Sequence, residues 1–242
     1  LISNYGLFLL KTLTVVISII VILSFALSSK KSKSEGNLVV TNVNEELDNL
    51  ENNIKKNILN KKDFKNFIKD KKKNNKIPEK KLFILDFKGN IKASEIVSLR
   101  REISGILLSY KKGDEVILRL ENSGGTVHEH GLAASQLKRI KDKKIPLTIC
   151  VDKVAASGGY MMACVANKIV SSPFAIIGSI GVLAQVPNFN KLLKNKGIDF
   201  EQHTAGNYKR TVTMFGKNTE KDRKKLGEQL EDIHLLFKDF IV

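Results

Sequence analysis

The pattern of apolar and polar positions divides the chain into three regimes. From Gly6 to Leu27 almost every position is apolar, broken only by Lys11 and by Thr and Ser hydroxyls that can bond back to a helix backbone. About 20 such residues span a bilayer, and Lys11 lies near enough to one end to snorkel its ammonium to the interface. The expectation for residues 1–29 is an uncleaved transmembrane anchor. A cleavable signal peptide competes, with Ala26-Leu27-Ser28 as its small-residue site, but the apolar run is long for a signal core. Residues 30–78 turn to Asn, Lys and Glu. There Leu47, Leu50, Ile54, Ile58, Phe64, Phe67 and Ile68 recur at helical spacing, which predicts a charged helical stalk. A solvated linker is expected from Lys69 to Lys76, and Ile77-Pro78 marks the domain boundary.

From residue 79 to 242 the pattern alternates. Leu82 to Phe87 reads as a strand ended by Gly89, and Ile96, Leu99, Ile103, Ile106, Leu107 and Tyr110 then share one helical face. Glu115 to Leu120 is a second strand, and Leu132, Ala133, Leu137 and Ile140 mark another helix. Leu147 to Val151 and Lys168 to Val170 follow as strands, Asp199 to His203 as one more, and Leu226, Leu230, Ile233 and Phe237 as a last helix. This rhythm predicts βαβ units in a mainly parallel sheet with right-handed crossovers. Ligands collect beyond the carboxyl ends of such strands, where Gly124-Gly125 and Ser157 both fall.

Composition narrows the partners. A chain of 242 residues with 42% hydrophobic content holds one sizeable domain plus extra segments. The net charge of +16 comes overwhelmingly from lysine, alongside abundant Asn and Ile, which reads as compositional drift. Arginine forks and interleaved aromatics are missing, so nucleic acid is not expected as a partner. Cys150 and Cys164 stand alone in apolar runs without metal-like spacing and read as reduced, buried small hydrophobes. The leading Leu and the unclosed end at Ile241-Val242 suggest a fragment.

Chemistry concentrates at Val154-Ala155-Ala156-Ser157-Gly158-Gly159-Tyr160, directly after the Leu147–Val151 strand. A strand that ends in small residues and turns into a helix presents a serine hydroxyl at the helix start. Ser157 is thus a candidate nucleophile, and the glycine amides beside it are candidate oxyanion donors at the positive end of a helix dipole. The plainer reading makes Ser157 an N-cap. A serine nucleophile needs a base. His128 and His130 point to different sides of their helix and read as polar first-turn residues, and Asp152 would complete a triad only with one of the four histidines. As a metal pair His128 and His130 are equally weak, and no metal or cofactor is expected. A neutral lysine is the other option, at Gly206-Asn207-Tyr208-Lys209-Arg210, although spacing does not single out Lys209. An ammonium has no lone pair, so such a lysine must be driven toward neutrality by burial or by neighbours.

Four stretches in order carry a resemblance: Glu121-Asn122-Ser123-Gly124-Gly125, Asp152 through Tyr160, Gly178-Ser179-Ile180-Gly181-Val182, and Gly206 through Arg210. Together they resemble the S49 serine peptidases, the signal peptide peptidase A family, and Asn4 to Leu9 resembles its inner-membrane branch. The resemblance implies a ClpP/crotonase-like fold of repeated ββα units and a Ser-Lys dyad. In it Ser157 would be the nucleophile, Lys209 the general base and Ser179 the group orienting the lysine, with the Gly124 and Gly158 amides as the oxyanion hole. It also implies peptide or unfolded-protein substrates such as signal-peptide remnants, an inner-membrane location, and homo-oligomers in which serine and lysine can come from different copies.

The chain departs from the family in two places. Asn122-Ser123 stands where the family often has Ser-Pro before the two glycines, leaving the turn less preorganised. The chain also stops where the family continues to a closing strand. Lys30, Lys31 and Lys33 vote for a cytoplasmic domain, but lysine is common throughout, so the family's periplasmic location is the expectation. The competing functions are a crotonase-like acyl-thioester enzyme, which would not need the Ser157 and Lys209 pair, and a non-enzymatic membrane scaffold or polybasic lipid-surface binder.

Overall fold

The computed structural model describes residues 2–29, 38–74, 79–206 and 208–241. The expected boundary at Ile77-Pro78, the flanking lysines 30, 31 and 33, and Asn207 lie outside the described residues. Two compact units result, Leu1–Glu51 and Asn52–Val242.

The first unit is dominated by α1 (Ile2–Ser29). Its hydroxyls bond back to the preceding turn, Thr12 Oγ1 to the Leu9 carbonyl at 2.9 Å and Ser18 Oγ to the Thr14 carbonyl at 2.8 Å. That satisfies polar groups inside an apolar run. Among the described residues no helix is long and apolar enough to cross a membrane.

Helix α2 (Val43–Ile58) crosses into the second unit, and α3 (Lys61–Asn74) follows. Asn60 separates the two because its side chain caps the next helix. Its Oδ1 accepts the amides of Lys62 and Asp63 at 3.1 and 2.9 Å, and its Nδ2 donates to Asp63 Oδ2 at 2.7 Å. The Lys55 ammonium lies 3.9 Å from the centre of the Phe67 ring. The helical spacing expected here is therefore realised as two helices. The linker expected from Lys69 is helical as far as Asn74, since lysine is a good helix former.

Beyond residue 79 the elements are β1 (Leu82–Gly89), α4 (Ile96–Ser109), β2 (Glu115–Asn122), α5 (Val127–Asp142), β3 (Leu147–Val151), β4 (Val154–Ala156), α6 (Gly158–Ala163), β5 (Lys168–Ser171), β6 (Ile176–Gly178), α7 (Asn190–Asn195) and α8 (Glu220–Ile241). All strand pairs are parallel. Strand β2 is the hub. It pairs with β1 along its whole length, with β3 over Val116 to Arg119, and with β4 only at Asn122, opposite Ala155. The sheet curls at that point, and β4 hands it on to β6.

Alternation along β2 turns Val116, Leu118, Leu120 and then Asn122 inward. Helix α5 answers with a stripe of His130, Ala133, Ala134, Leu137 and Ile140, and α4 with Ile96, Leu99, Ile103 and Ile106. These faces form one continuous core with Phe87 and Met162. The expected strand from Asp199 to His203 is not formed; those residues have no regular structure and are exposed. A strand needs a neighbour for its backbone groups, and none lies beside this segment among the described pairings. The expected strands at Leu82, Glu115, Leu147 and Lys168 all form, and β4 and β6 add two that were not expected.

Candidate active site

At the end of β4 the chain turns sharply. Ser157 has φ 52° and ψ −119°, a conformation L residues seldom adopt, and α6 starts with the next residue. Two bonds hold it there. Its N–H donates to the Gly178 carbonyl at 2.7 Å, and its carbonyl accepts the Met161 amide at 2.9 Å. Its side chain makes no capping bond, so the plain N-cap reading of Ser157 is not realised. A strained, uncapped serine at a strand-to-helix turn suits a nucleophile rather than a helix start.

Gly124 lies directly against this turn. With φ +91°, it takes a conformation open to glycine, and a Cβ on it would meet Ser157 Cβ at 2.7 Å and the Ala156 carbonyl oxygen at 2.8 Å. Gly124, Ser157 and Gly158 are thus brought together. The Gly124 amide, however, is taken. It donates to Asn122 Oδ1 at 2.6 Å, closing a turn two residues long. The N–H expected to serve as an oxyanion donor is thus engaged here by a buried side-chain carbonyl. Among the described residues the amides of Gly125 and Gly158 have no acceptor, and neither do those of Gly159 and Tyr160 in the first turn of α6. Any side chain at Gly125 would strike the Ile91 carbonyl.

Sequence reasoning passed over His130 as a polar first-turn residue, yet it is fully buried. Its Nε2 lies 3.1 Å from Asn122 Oδ1 and its Nδ1 lies 2.9 Å from the Thr126 carbonyl. The signal was available: position 130 begins the 130, 133, 134, 137, 140 apolar stripe of α5. His128 and His203 sit on the surface near Glu129 and Glu201, at 3.8 and 3.5 Å, and His234 is half-buried on α8, 3.8 Å from Glu231. Asp152 is exposed, so the triad option has no assembled partner.

Ser179 follows the carbonyl that holds Ser157 and is itself left-handed, with φ 56°. Lys209 is exposed and lies on the turn after Gly206, with its amide 3.4 Å from the Gly206 carbonyl. It lines an open cleft of about 880 Å³ with Phe200, His203, Val212 and Phe215, to which the Ser157 turn contributes no wall. The Ser157 hydroxyl and the Lys209 amine make no contact with each other among the described residues. The thiol of Cys164, half-buried against Tyr160, is pushed above the ordinary thiol range by burial.

Comparison with known proteins places the chain. Residues 1–137 match the model of the peptidase family S49 N-terminal region and residues 139–242 that of peptidase family S49. A probable protease SohB of Buchnera aphidicola subsp. Acyrthosiphon pisum is 53% identical over 252 residues, covering 100% of this chain and 74% of that protein. The probable protease SohB of Buchnera aphidicola subsp. Schlechtendalia chinensis is 48% identical, covering 99% of this chain and 85% of the relative. That of Haemophilus influenzae is 46% identical over 99% of this chain and 73% of the relative. With family models spanning both halves and relatives near half identity along its whole length, the chain belongs to the S49 family of serine peptidases and is of the SohB type.

Proposed function

We propose that the chain is a membrane-anchored serine endopeptidase in which Ser157 attacks a peptide carbonyl and Lys209, supplied by a neighbouring copy, is the base. The observation that carries this reading is the strained Ser157 turn, with φ 52° and no capping bond, pressed against Gly124. In the first step the neutral Lys209 amine takes the Ser157 hydroxyl proton as Oγ bonds to the carbonyl carbon. The oxyanion is held by the free Gly158 and Gly125 amides, and the proton passes from the ammonium to the departing amine as the C–N bond breaks. Water then hydrolyses the acyl-enzyme by the same proton route. Ser179 orients the lysine. The substrates are extended, unfolded segments: signal-peptide remnants or misfolded membrane and exported proteins.

Two features favour shared sites. Lys209 is exposed in the single chain, whereas a lysine base must lose water to become neutral at ordinary pH. Phe174, Leu183 and Leu192, in the segment between the serine and the lysine, are also exposed, at 98, 78 and 55%. A homo-oligomer covers such a surface and dries the amine. What supports an inner-membrane anchor at residues 1–29, with the peptidase domain on the periplasmic side, is the apolar run of the sequence from Gly6 to Leu27.

The test is covalent labelling of Ser157 by a fluorophosphonate, together with cleavage of an unfolded substrate by the detergent-solubilised full chain. Both are expected in the parent and absent in Ser157→Ala. An unlabelled parent protein that still cleaves would overturn the assignment.

A further inference from the structure

Beneath the paired glycines lies a buried polar cluster that the dyad does not use. Asn122 occupies the fourth inward position of β2, where Val116, Leu118 and Leu120 precede it, and it is 1% exposed. Its Oδ1 faces two groups at once, the Gly124 amide at 2.6 Å and His130 Nε2 at 3.1 Å. Turning the amide round would set Nδ2 against the Gly124 N–H, donor against donor, so Oδ1 stays in place and accepts from His130 in the tautomer that carries its proton on Nε2. The other ring nitrogen, Nδ1, lies 2.9 Å from the Thr126 carbonyl, and a neutral ring donates to only one of these two acceptors. Its flank also lies under the nucleophile turn: a Cβ on Gly158 would come within 2.7 Å of both His130 Cβ and Cδ2. One buried ring therefore touches the residue carrying one proposed oxyanion amide and, through a single side chain, ties down the turn carrying the other.

We infer that His130 is a positioning residue: by donating to Asn122 Oδ1 and packing beneath Gly158 it holds the Gly124-Gly125 turn and the Ser157 turn at a fixed separation. This rests on the serine-peptidase reading above. The inward Asn122 supplies by a hydrogen bond the rigidity that Asn122-Ser123-Gly124 lacks by composition, and His130 keeps that acceptor aimed. Oxyanion stabilisation depends on preorganised donors, so a loosened turn lowers the rate of acylation while leaving substrate affinity nearly as it was.

The test compares His130→Leu, which fills the space without a donor, with His130→Gln, which keeps an N–H able to reach Asn122. Three readouts apply to the full chain: kcat and KM on an unfolded substrate, the fluorophosphonate acylation rate, and amide deuterium uptake over residues 121–126. Expected for His130→Leu is a drop of roughly tenfold or more in kcat and acylation with KM within about twofold, and faster exchange of that segment. His130→Gln should recover most of both. Unchanged acylation and unchanged uptake in a folded His130→Leu protein would overturn the inference. So would a parent protein whose Gly124 amide exchanges as fast as exposed loop amides, a measurement that needs no variant to fold. If instead the parent neither cleaves nor labels while His130→Leu still loosens residues 121–126, the peptidase reading fails and the bracing role stands.

Discussion

Gly158 has no room for a side chain because His130 lies beneath it, the added Cβ falling 2.7 Å from two carbons of the histidine. Neither residue yields easily, since the imidazole is fully buried and Gly158 opens α6. Gly158→Ala should therefore cost about 1–3 kcal/mol of stability by overpacking and abolish fluorophosphonate labelling by displacing the Ser157 turn. Gly131 is the control. It is one residue along α5 from His130, with nothing within 4 Å of an added Cβ, so Gly131→Ala should stabilise by about 0.5–1 kcal/mol. Thermal melts of the two variants should move in opposite directions.

Ser157 itself stores strain. At φ 52° and ψ −119° a non-glycine residue costs on the order of 1–3 kcal/mol, against roughly 0.5–1 kcal/mol of extra unfolded-state freedom when glycine is introduced. Ser157→Gly should thus melt at a temperature equal to or above the parent's while losing all cleavage. Ser157→Ala should lose cleavage without that gain. A Ser157→Gly protein clearly less stable than Ser157→Ala would show that the turn is not strained.

Most of the architecture was legible because β1, β2 and β3 carry alternating buried apolar positions. Leu147–Val151 forms as expected to the residue, and the α4 and α8 stripes fall where the periodicity puts them. Strands β4 and β6 escaped notice because three residues paired to a neighbour leave no periodic trace. The Asp199–His203 pattern misled for the converse reason: local alternation supplies no partner strand. At the candidate site, the turn at Ser157 was legible from the small residues that flank it. The occupied Gly124 amide was not, since it depends on which way an asparagine points. His130 was missed because its charge-capable ring was weighed as polar, although its place in the α5 stripe marked it as core.

In the proposed mechanism Lys209 reaches Ser157 from a neighbouring copy of the chain. The sharpest check mixes two dead variants. Ser157→Ala keeps the lysine and Lys209→Ala keeps the serine, so random assembly of equal amounts should rebuild roughly a quarter of the sites. Specific activity of the parent should also fall on dilution. Recovery of no activity in the mixture, with both variants oligomeric, would place the dyad within single chains.

Asp114 offers a test of the fold that is independent of the chemistry. It is buried at 2% exposure between the β1 entry and the α4–β2 turn, where its oxygens accept the Lys111 and Lys81 amides, each at 2.8 Å. The Lys111 amide first, then that of Lys81, hold its carboxyl below the ordinary range. A carboxyl depressed in the folded state contributes stability that is fully present above its unfolded value of about 3.9, and that is lost as pH falls through the lower folded value. Asp114→Asn should therefore be less stable than the parent at pH 7, since the amide replaces one charge-assisted acceptor with a donor facing an N–H. As pH falls from about 5 toward 2 the parent should lose more stability than the variant, and the two denaturation midpoints should converge. A constant gap between them across that range would mean that the carboxylate charge contributes nothing to holding β1 against the turn.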